Sequence, residues 1–245
     1  MVLIFKNNHA PWDCLAFYDG HRDNPPFKLL YLRHHMHAPI WIFDLDDTLH
    51  QASLGIFAHI SRMMNRYMER HLGMEAEEAR RLRLMYWQRY GATLQGLVRH
   101  HGVDARHFLH ETHPLDELCQ WLEWEPTLAT TLRRLPGRKF VLSNGPQHYI
   151  EGLLHRMQVH QQFEACYGME KMQFQPKPDR RGFRHLLRAE RLNPAHCIMV
   201  EDSLPNLYTA KSLGMRTVWI SHTARRPAFV DVRISKLSQL PRLSW

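Results

Sequence analysis

Cysteine is scarce in this 245-residue chain, and what there is does not pair. Cys14, Cys119, Cys166 and Cys197 are scattered, with no Cys-x-x-Cys spacing. That pattern argues against a disulfide framework and for buried or idle thiols in a reducing compartment. Long apolar runs are also missing. No stretch approaches the roughly 20 residues of a membrane span, and the opening Met1-Val2-Leu3-Ile4-Phe5 is cut by Lys6 before it could form a signal-peptide core. The expected location is the cytoplasm, without a membrane partner. There is no internal repeat, no low-complexity tract and no block of like charge, although the formal net charge is +8. A positive field without a basic arm is expected to draw phosphorylated small molecules rather than nucleic acid. The chain is 44% hydrophobic and 23% charged, an ordinary globular balance. Its length suits one large α/β domain or a core domain with an insertion. Oligomeric state is not encoded in any of these features.

The texture of the chain changes twice. Residues 1–38 are broken by Pro11, Pro25, Pro26, Gly20, Asp23 and Asn24 and bounded by Pro39, so they read either as a loosely ordered N-terminal extension or as sequence upstream of a true start at Met36. The clustered histidines His34, His35 and His37 lack companions to complete a metal site and read as a solvated cluster. From about Leu54 to Gln120 the pattern is helical. Ile56, Ile60, Met63, Met64, Tyr67 and Met68 share one face, and Leu82, Met85, Tyr86 and Arg89 share another. The methionines read as core filling. Gly91, Gly96 and Gly102 punctuate this block, and Pro114 opens a further short helix. After Glu125-Pro126 strands and helices alternate. Strands are expected at 138–143, 196–200, 217–220 and 232–234, and helices at 146–157, around 183–190 and at 205–213. Together with the apolar run Ile40-Trp41-Ile42-Phe43, this alternation predicts a parallel sheet with helices on both faces. The division is then 39–50 with 126–245 as the core, and 51–125 as a helical insertion.

Four segments carry candidate chemistry. Asp44 and Asp46 follow the first strand at alternate positions, with Thr48 two residues on. Val141-Leu142-Ser143-Asn144-Gly145 puts a hydroxyl at a strand end just before a helix N-terminus, whose free N–H groups suit a phosphate. Gln175-Pro176-Lys177-Pro178 holds a lysine between two prolines that restrict its backbone. Ile198-Met199-Val200-Glu201-Asp202-Ser203 ends another strand in two acids. Carboxyl ends of parallel strands share one edge, so Asp44, Ser143 and Asp202 should converge. Such a convergence suits phosphoryl transfer. A phosphate dianion repels a carboxylate, so the site needs cations: Mg²⁺ held by Asp44 and Asp202, and the ammonium of Lys177. Ser143, with nearby N–H groups, would bind the equatorial oxygens. Taken singly, each segment has a structural alternative, such as turn former, helix cap or surface charge. Four in this order at strand ends are better explained as one site.

In order, these segments match the four motifs of the haloacid dehalogenase-like (HAD) hydrolases, and the sequence resembles that superfamily. The resemblance implies a HAD-like Rossmannoid core with an inserted helical cap. It implies that Asp44 attacks phosphorus to form an aspartyl-phosphate, and that Asp46 protonates the leaving oxygen and then activates water. Thr48 would brace the loop. Ser143 and Asn144 would bind the phosphoryl group, and Lys177 would orient Asp44 and offset charge. Mg²⁺ would be held by Asp44, the Asp46 carbonyl and Asp202, with Glu201 acting through water. Asp47 has no assigned role and reads as structural.

The insertion adds Tyr86-Trp87-Gln88-Arg89-Tyr90-Gly91-Ala92-Thr93-Leu94-Gln95-Gly96-Leu97, followed by His101, Val103-Asp104 and His113. This stretch is similar to the Tyr-Gly-x-Thr-Leu-x-Gly-Leu segment in the cap of the pyrimidine 5'-nucleotidases, and the chain resembles that family from about Ala38 to Pro241. Ser143 stands where that family often has Thr, Glu201 where Asp is common, and His113-Pro114 departs from the usual acid after the histidine. The resemblance implies a nucleoside monophosphate, pyrimidine by preference, as the small-molecule substrate. Tyr86 and Tyr90, four apart on one helix face, are the candidates for stacking on a base. Gly91 and Gly96 flank Thr93 and would let a bend aim its hydroxyl inward. A sugar-phosphate phosphatase or mutase with the same core is the alternative. A dehalogenase would not require Asp46, and a non-catalytic basic nucleic-acid binder would not need the whole catalytic set.

Overall fold

Six short strands, all parallel, form the sheet in the order β3-β2-β1-β4-β5-β6. They are β1 Ile40–Phe43, β2 Lys139–Leu142, β3 Ala165–Tyr167, β4 Cys197–Glu201, β5 Arg216–Ile220 and β6 Val232–Ile234. The structure, a computed structural model, describes residues 38–243. The expectations for residues 1–37, including the histidine cluster, Cys14 and the alternative start, lie outside the described residues.

Side chains alternate across a strand, and here both faces are buried. Trp41, Phe43, Val141, Ile198 and Val200 enter one apolar cluster, with residues of α6 (Leu128–Arg134) and α7 (Gln147–Arg156). Ile42, Phe140, Leu142, Cys197 and Met199 enter the other, with α8 (Arg180–Ala189) and α9 (Leu204–Ser212). Helices therefore cover both faces, as the strand–helix alternation predicts. β3 has no counterpart among the predicted strands. It is a three-residue edge strand, Ala165-Cys166-Tyr167, too short to show a period.

Between β1 and β2 the chain makes five helices: α1 (Ile56–Leu72), α2 (Ala76–Tyr90), α3 (Thr93–His101), α4 (Ala105–Thr112) and α5 (Leu115–Leu118). Gly73, Gly91 and Gly102 end the first three in the left-handed conformation that glycine adopts without a Cβ penalty. The two ends of the insertion are tied together, because Gln51 N–H donates to the Glu123 carbonyl over 2.8 Å. At its entry Asp47, with φ 55, accepts from the Ser53 amide at 2.8 Å and from the Ser53 hydroxyl. The insertion shares a core with the sheet: Tyr67, Met68, Leu94 and Phe108 belong to the same apolar cluster as Ile42, Phe140 and Met199. The buried stripe of α2 runs through Ala79 and Tyr86, with Leu82 and Tyr90 packed beside it. Met85, assigned to that face from spacing, is one position off it and 40% exposed. Among the described residues no helix is long and apolar enough to cross a membrane.

Candidate active site

The strand order places β1 at the centre, with β2 on one side and β4 on the other. Phe43 pairs with Val141 and with Val200, so the residues that follow the three strands emerge together. The Asp44 amide still donates to the Val200 carbonyl at 3.0 Å, which fixes where its side chain begins. The three parallel strands deliver Asp44, Ser143 and the Glu201-Asp202 pair to one edge, at the point where the chain order reverses and ligands bind in open α/β sheets.

Lys177 is the hub. Its ammonium is 2% exposed and lies 2.6 Å from Asp44 Oδ1 and 2.7 Å from Glu201 Oε2. A buried ammonium is expected to lose its proton, but here the two carboxylates outweigh desolvation and hold the lysine charged, above its usual range. Asn144 aims the lysine. Its Oδ1 accepts from the Lys177 amide at 2.7 Å and its Nδ2 donates to the Lys177 carbonyl at 2.9 Å. The Asn144 side chain is thereby committed to the backbone of Lys177. Ser143 is fully buried, and its Oγ accepts from Gly145 N–H at 3.0 Å.

Asp46 is built differently. Its Oδ1 receives the Tyr149 hydroxyl at 2.5 Å and lies 3.0 Å from His50 Nε2. Burial pushes its pKa up, but the His50 and Tyr149 contacts prevail and leave it below the usual carboxylate range. Thr48 sits in the same turn, where the amides of Thr48, Leu49 and His50 all donate to the Leu45 carbonyl. The Thr48 hydroxyl is buried without a protein partner among the described residues. His113, after α4, faces Asp46 from the insertion. Its Nδ1 donates to the Leu109 carbonyl at 3.1 Å, and burial lowers its pKa to about 4, so the ring is neutral.

Carboxylate oxygens of Asp44, Glu201 and Asp202 lie within 4.8 Å of one another. Among the described residues Lys177 is the one cation in contact with this group. The shortfall shows in the pKa values: burial and the neighbouring acids push Asp202 up to about 6 and raise Asp44 well above its usual value. A hard divalent cation would relieve that repulsion, and oxygen donors are what Mg²⁺ takes. Glu201 is occupied by Lys177 and by the Ser203 amide at 3.3 Å, which leaves Asp44 and Asp202 as the carboxylates best placed to hold the ion.

Above these groups is a chamber of about 520 Å³, walled by both the sheet edge and the insertion. Asp44, Asp46, Asn144, Lys177 and Asp202 line its floor, and Thr93 and His113 reach it from above. Tyr86 and Tyr90 are absent from its lining. Tyr86 packs face-on to Gly96, where an added Cβ would lie 2.1 Å from the ring, and its hydroxyl meets His101 Nε2 at 2.9 Å. The Tyr90 hydroxyl meets His100 Nε2 at 2.7 Å. These tyrosines hold α2 to α3, which the four-residue spacing could not distinguish from a ligand face. The Thr93 hydroxyl donates to the Arg83 carbonyl at 3.0 Å. The chamber wall on this side is formed instead by Phe57, Met64, Arg83, Leu84 and Trp87. Sequence reasoning assigned none of these to ligand contact. Trp87, 59% exposed for so large an apolar group, is the one whose neighbours at i±3 and i±4 could have signalled a surface facing away from the helical core.

Three comparisons bear on this site. A family model described as haloacid dehalogenase-like hydrolase matches residues 40–214. The glyceraldehyde 3-phosphate phosphatase of Pyrococcus furiosus is 29% identical over 219 residues, covering 81% of this chain and 89% of that protein. Phosphate metabolism protein 8 of Saccharomyces cerevisiae is 22% identical over 191 residues, and the match spans 72% of this chain but 59% of the yeast protein. Among solved structures, a HAD phosphatase from Thermococcus onnurineus superposes with a TM-score of 0.62 at 21% identity, over 84% of this chain and 97% of that one. At that identity the structural likeness speaks for the fold.

Proposed function

This chain belongs to the haloacid dehalogenase-like hydrolases, and we propose that it is a Mg²⁺-dependent phosphomonoesterase that works through an aspartyl-phosphate on Asp44. The observation that carries the reading is the contact between buried Lys177 and Asp44 Oδ1 at 2.6 Å, beside two further carboxylates. A nucleophilic carboxylate must be freed from hydrogen-bond disorder and offered a cation that tolerates a dianion, and this triad does both. Mg²⁺, held by Asp44 and Asp202, would supply positive charge to the phosphoryl oxygens. Ser143 Oγ and the Asn144 backbone amide would take the equatorial oxygens; the first amide of α7, Gln147, already donates to Glu170 at 2.8 Å and the Gly145 amide to Ser143 Oγ.

Asp46 moves the protons. Two donors hold its Oδ1, so the other oxygen is left for the substrate side. Its ionised resting state suits the step in which it takes a proton from water. In the preceding step the arriving dianion raises its proton affinity, which suits donation to the leaving oxygen. The neutral His113 adds no cation that would compete for the phosphate.

For the substrate class, the relative in Pyrococcus furiosus supports a short sugar phosphate. A pyrimidine nucleoside monophosphate is the second reading, supported by the cap stretch from Tyr86 to Leu97 and by the aromatic wall of Phe57 and Trp87. Both fit a cytoplasmic enzyme of small phosphorylated metabolites. Phosphate release from a panel of triose, pentose and hexose phosphates against UMP and CMP, with Mg²⁺ present, separates them. Sugar phosphates are expected to lead. A UMP preference would return the assignment to the nucleotidases, and a panel without any phosphate release would end the phosphatase reading.

A further inference from the structure

Resting on that phosphomonoesterase reading, we propose that Arg83 is a specificity-determining residue: it binds a second anionic group on the leaving portion of the substrate, so that esters bearing a distant carboxylate or phosphate are preferred over neutral ones.

Arg83 sits on α2 in the chamber wall, half-buried, among Phe57, Leu84 and Trp87. Its Nε donates to Asn65 Oδ1 at 3.0 Å and its Nη1 to Ser61 Oγ at 3.2 Å, both on α1. These partners are neutral. Burial and the neighbouring cation Arg80 both disfavour its charged state. Arg80 has Glu77 beside it, as Arg181 has Asp179 and Lys211 has Asp231. Charged groups withdrawn from water are ordinarily paired. Among the described residues Arg83 has no carboxylate partner, and it stands in the wall of the chamber.

The two bonds to α1 occupy two of the five guanidinium donors and fix the plane of the fork. What remains matches the two oxygens of a carboxylate or a phosphate. Lys177, the other cation of the chamber lining, is already neutralised by Asp44 and Glu201, so it cannot serve a second anion. The division of labour follows. The sheet edge holds the phosphoryl group that is cleaved, the apolar wall packs the carbon skeleton, and Arg83 holds the far anion. Phosphorylated sugar acids and sugar bisphosphates are the compounds of this description.

The test uses phosphonates, which carry no ester to cleave, so its outcome does not depend on turnover. Binding of ethylphosphonate, of ω-carboxyalkylphosphonates with two to four carbons, and of the corresponding bisphosphonates is measured by calorimetry on the full chain with Mg²⁺. The wild type should bind at least one anion-bearing ligand about tenfold tighter than ethylphosphonate, the value of one good charge-assisted pair. The tighter of the carboxylate and bisphosphonate series identifies the second group. Arg83→Gln should erase this preference and leave ethylphosphonate binding unchanged, while Arg83→Lys keeps part of it. A purely structural strut between α1 and α2 would lower both affinities together. Equal binding of neutral and anionic ligands by the wild type overturns the proposal, whatever the variants do. A preference that survives in Arg83→Gln overturns it as well. Absence of phosphate release from any ester would instead count against the phosphatase reading alone.

Discussion

Asp44 and Asp46 are two residues apart, yet their surroundings push them in opposite directions. Asp44 shares a cation with Glu201 and is crowded by acids, whereas Asp46 is held by the donors Tyr149 and His50. Paired titratable groups separated in this way mark acid–base roles. Asp44→Asn should abolish steady-state phosphate release with the fold intact by circular dichroism. Lys177→Met should lower turnover by about 10²–10³-fold, the scale of losing one preorganised electrostatic contact; residual activity near wild type would show that the lysine is only structural. His113 gives a stability prediction with a definite sign. Its pKa is lowered to about 4 in the fold against an unfolded 6.5. The unfolded chain therefore takes up the proton first, and stability contributed by the neutral ring is complete above about 6.5 and lost as pH falls towards about 4. The loss is of order 3 kcal/mol. His113→Gln should flatten the decline of melting temperature across that window, and an unchanged slope would contradict the burial argument.

At the scale of elements, the join between α2 and α3 is made by Tyr86 lying on Gly96. Gly96→Ala would drive a methyl into that ring, and overpacking of this kind typically costs about 1–3 kcal/mol. The expected outcome is a lower melting temperature with Mg²⁺-dependent phosphate release retained below it. A neutral effect would mean that α3 can slide. The elements show what a single sequence discloses. Strand ends carrying Asp44, Ser143 and Asp202 were legible, because short apolar runs flanked by polar residues locate the sheet edge and parallel topology does the rest. The helices from Gln147, Arg180 and Leu204 were legible within a few residues for the same reason. The face of α2 that meets the chamber was not. Spacing tells that Tyr86 and Tyr90 lie together, but which side of a cap helix faces the cavity is decided by packing against α3, and Gly96 sets that packing. Arg83 escaped because a single arginine on a helix otherwise reads as solvated. Its meaning appears only when Asn65 and Ser61 are seen to hold it in an apolar wall. The Asn144 side chain, expected at the phosphoryl group, is spent on Lys177, a partner 33 residues away that no local pattern names.

For the molecule as a whole, the formal charge of +8 coexists with a site that is locally acidic. Distant basic residues can draw a phosphorylated metabolite inward, and on the proposed mechanism a divalent ion would offset the acids at the floor. EDTA should remove turnover and added Mg²⁺ restore it; undiminished activity in a metal-free sample would contradict the assignment of Asp44 and Asp202. The central claim is that phosphate passes through the side chain of Asp44, and chemical capture of the intermediate tests it most directly. The enzyme is quenched in acid during turnover and reduced with borohydride, which converts an aspartyl-phosphate to homoserine, and the position is read by mass spectrometry of the peptides. Homoserine at position 44, and its absence when substrate is withheld, is the predicted result. Phosphate release with an unmodified Asp44, or with the phosphoryl group on a serine or histidine, would contradict it.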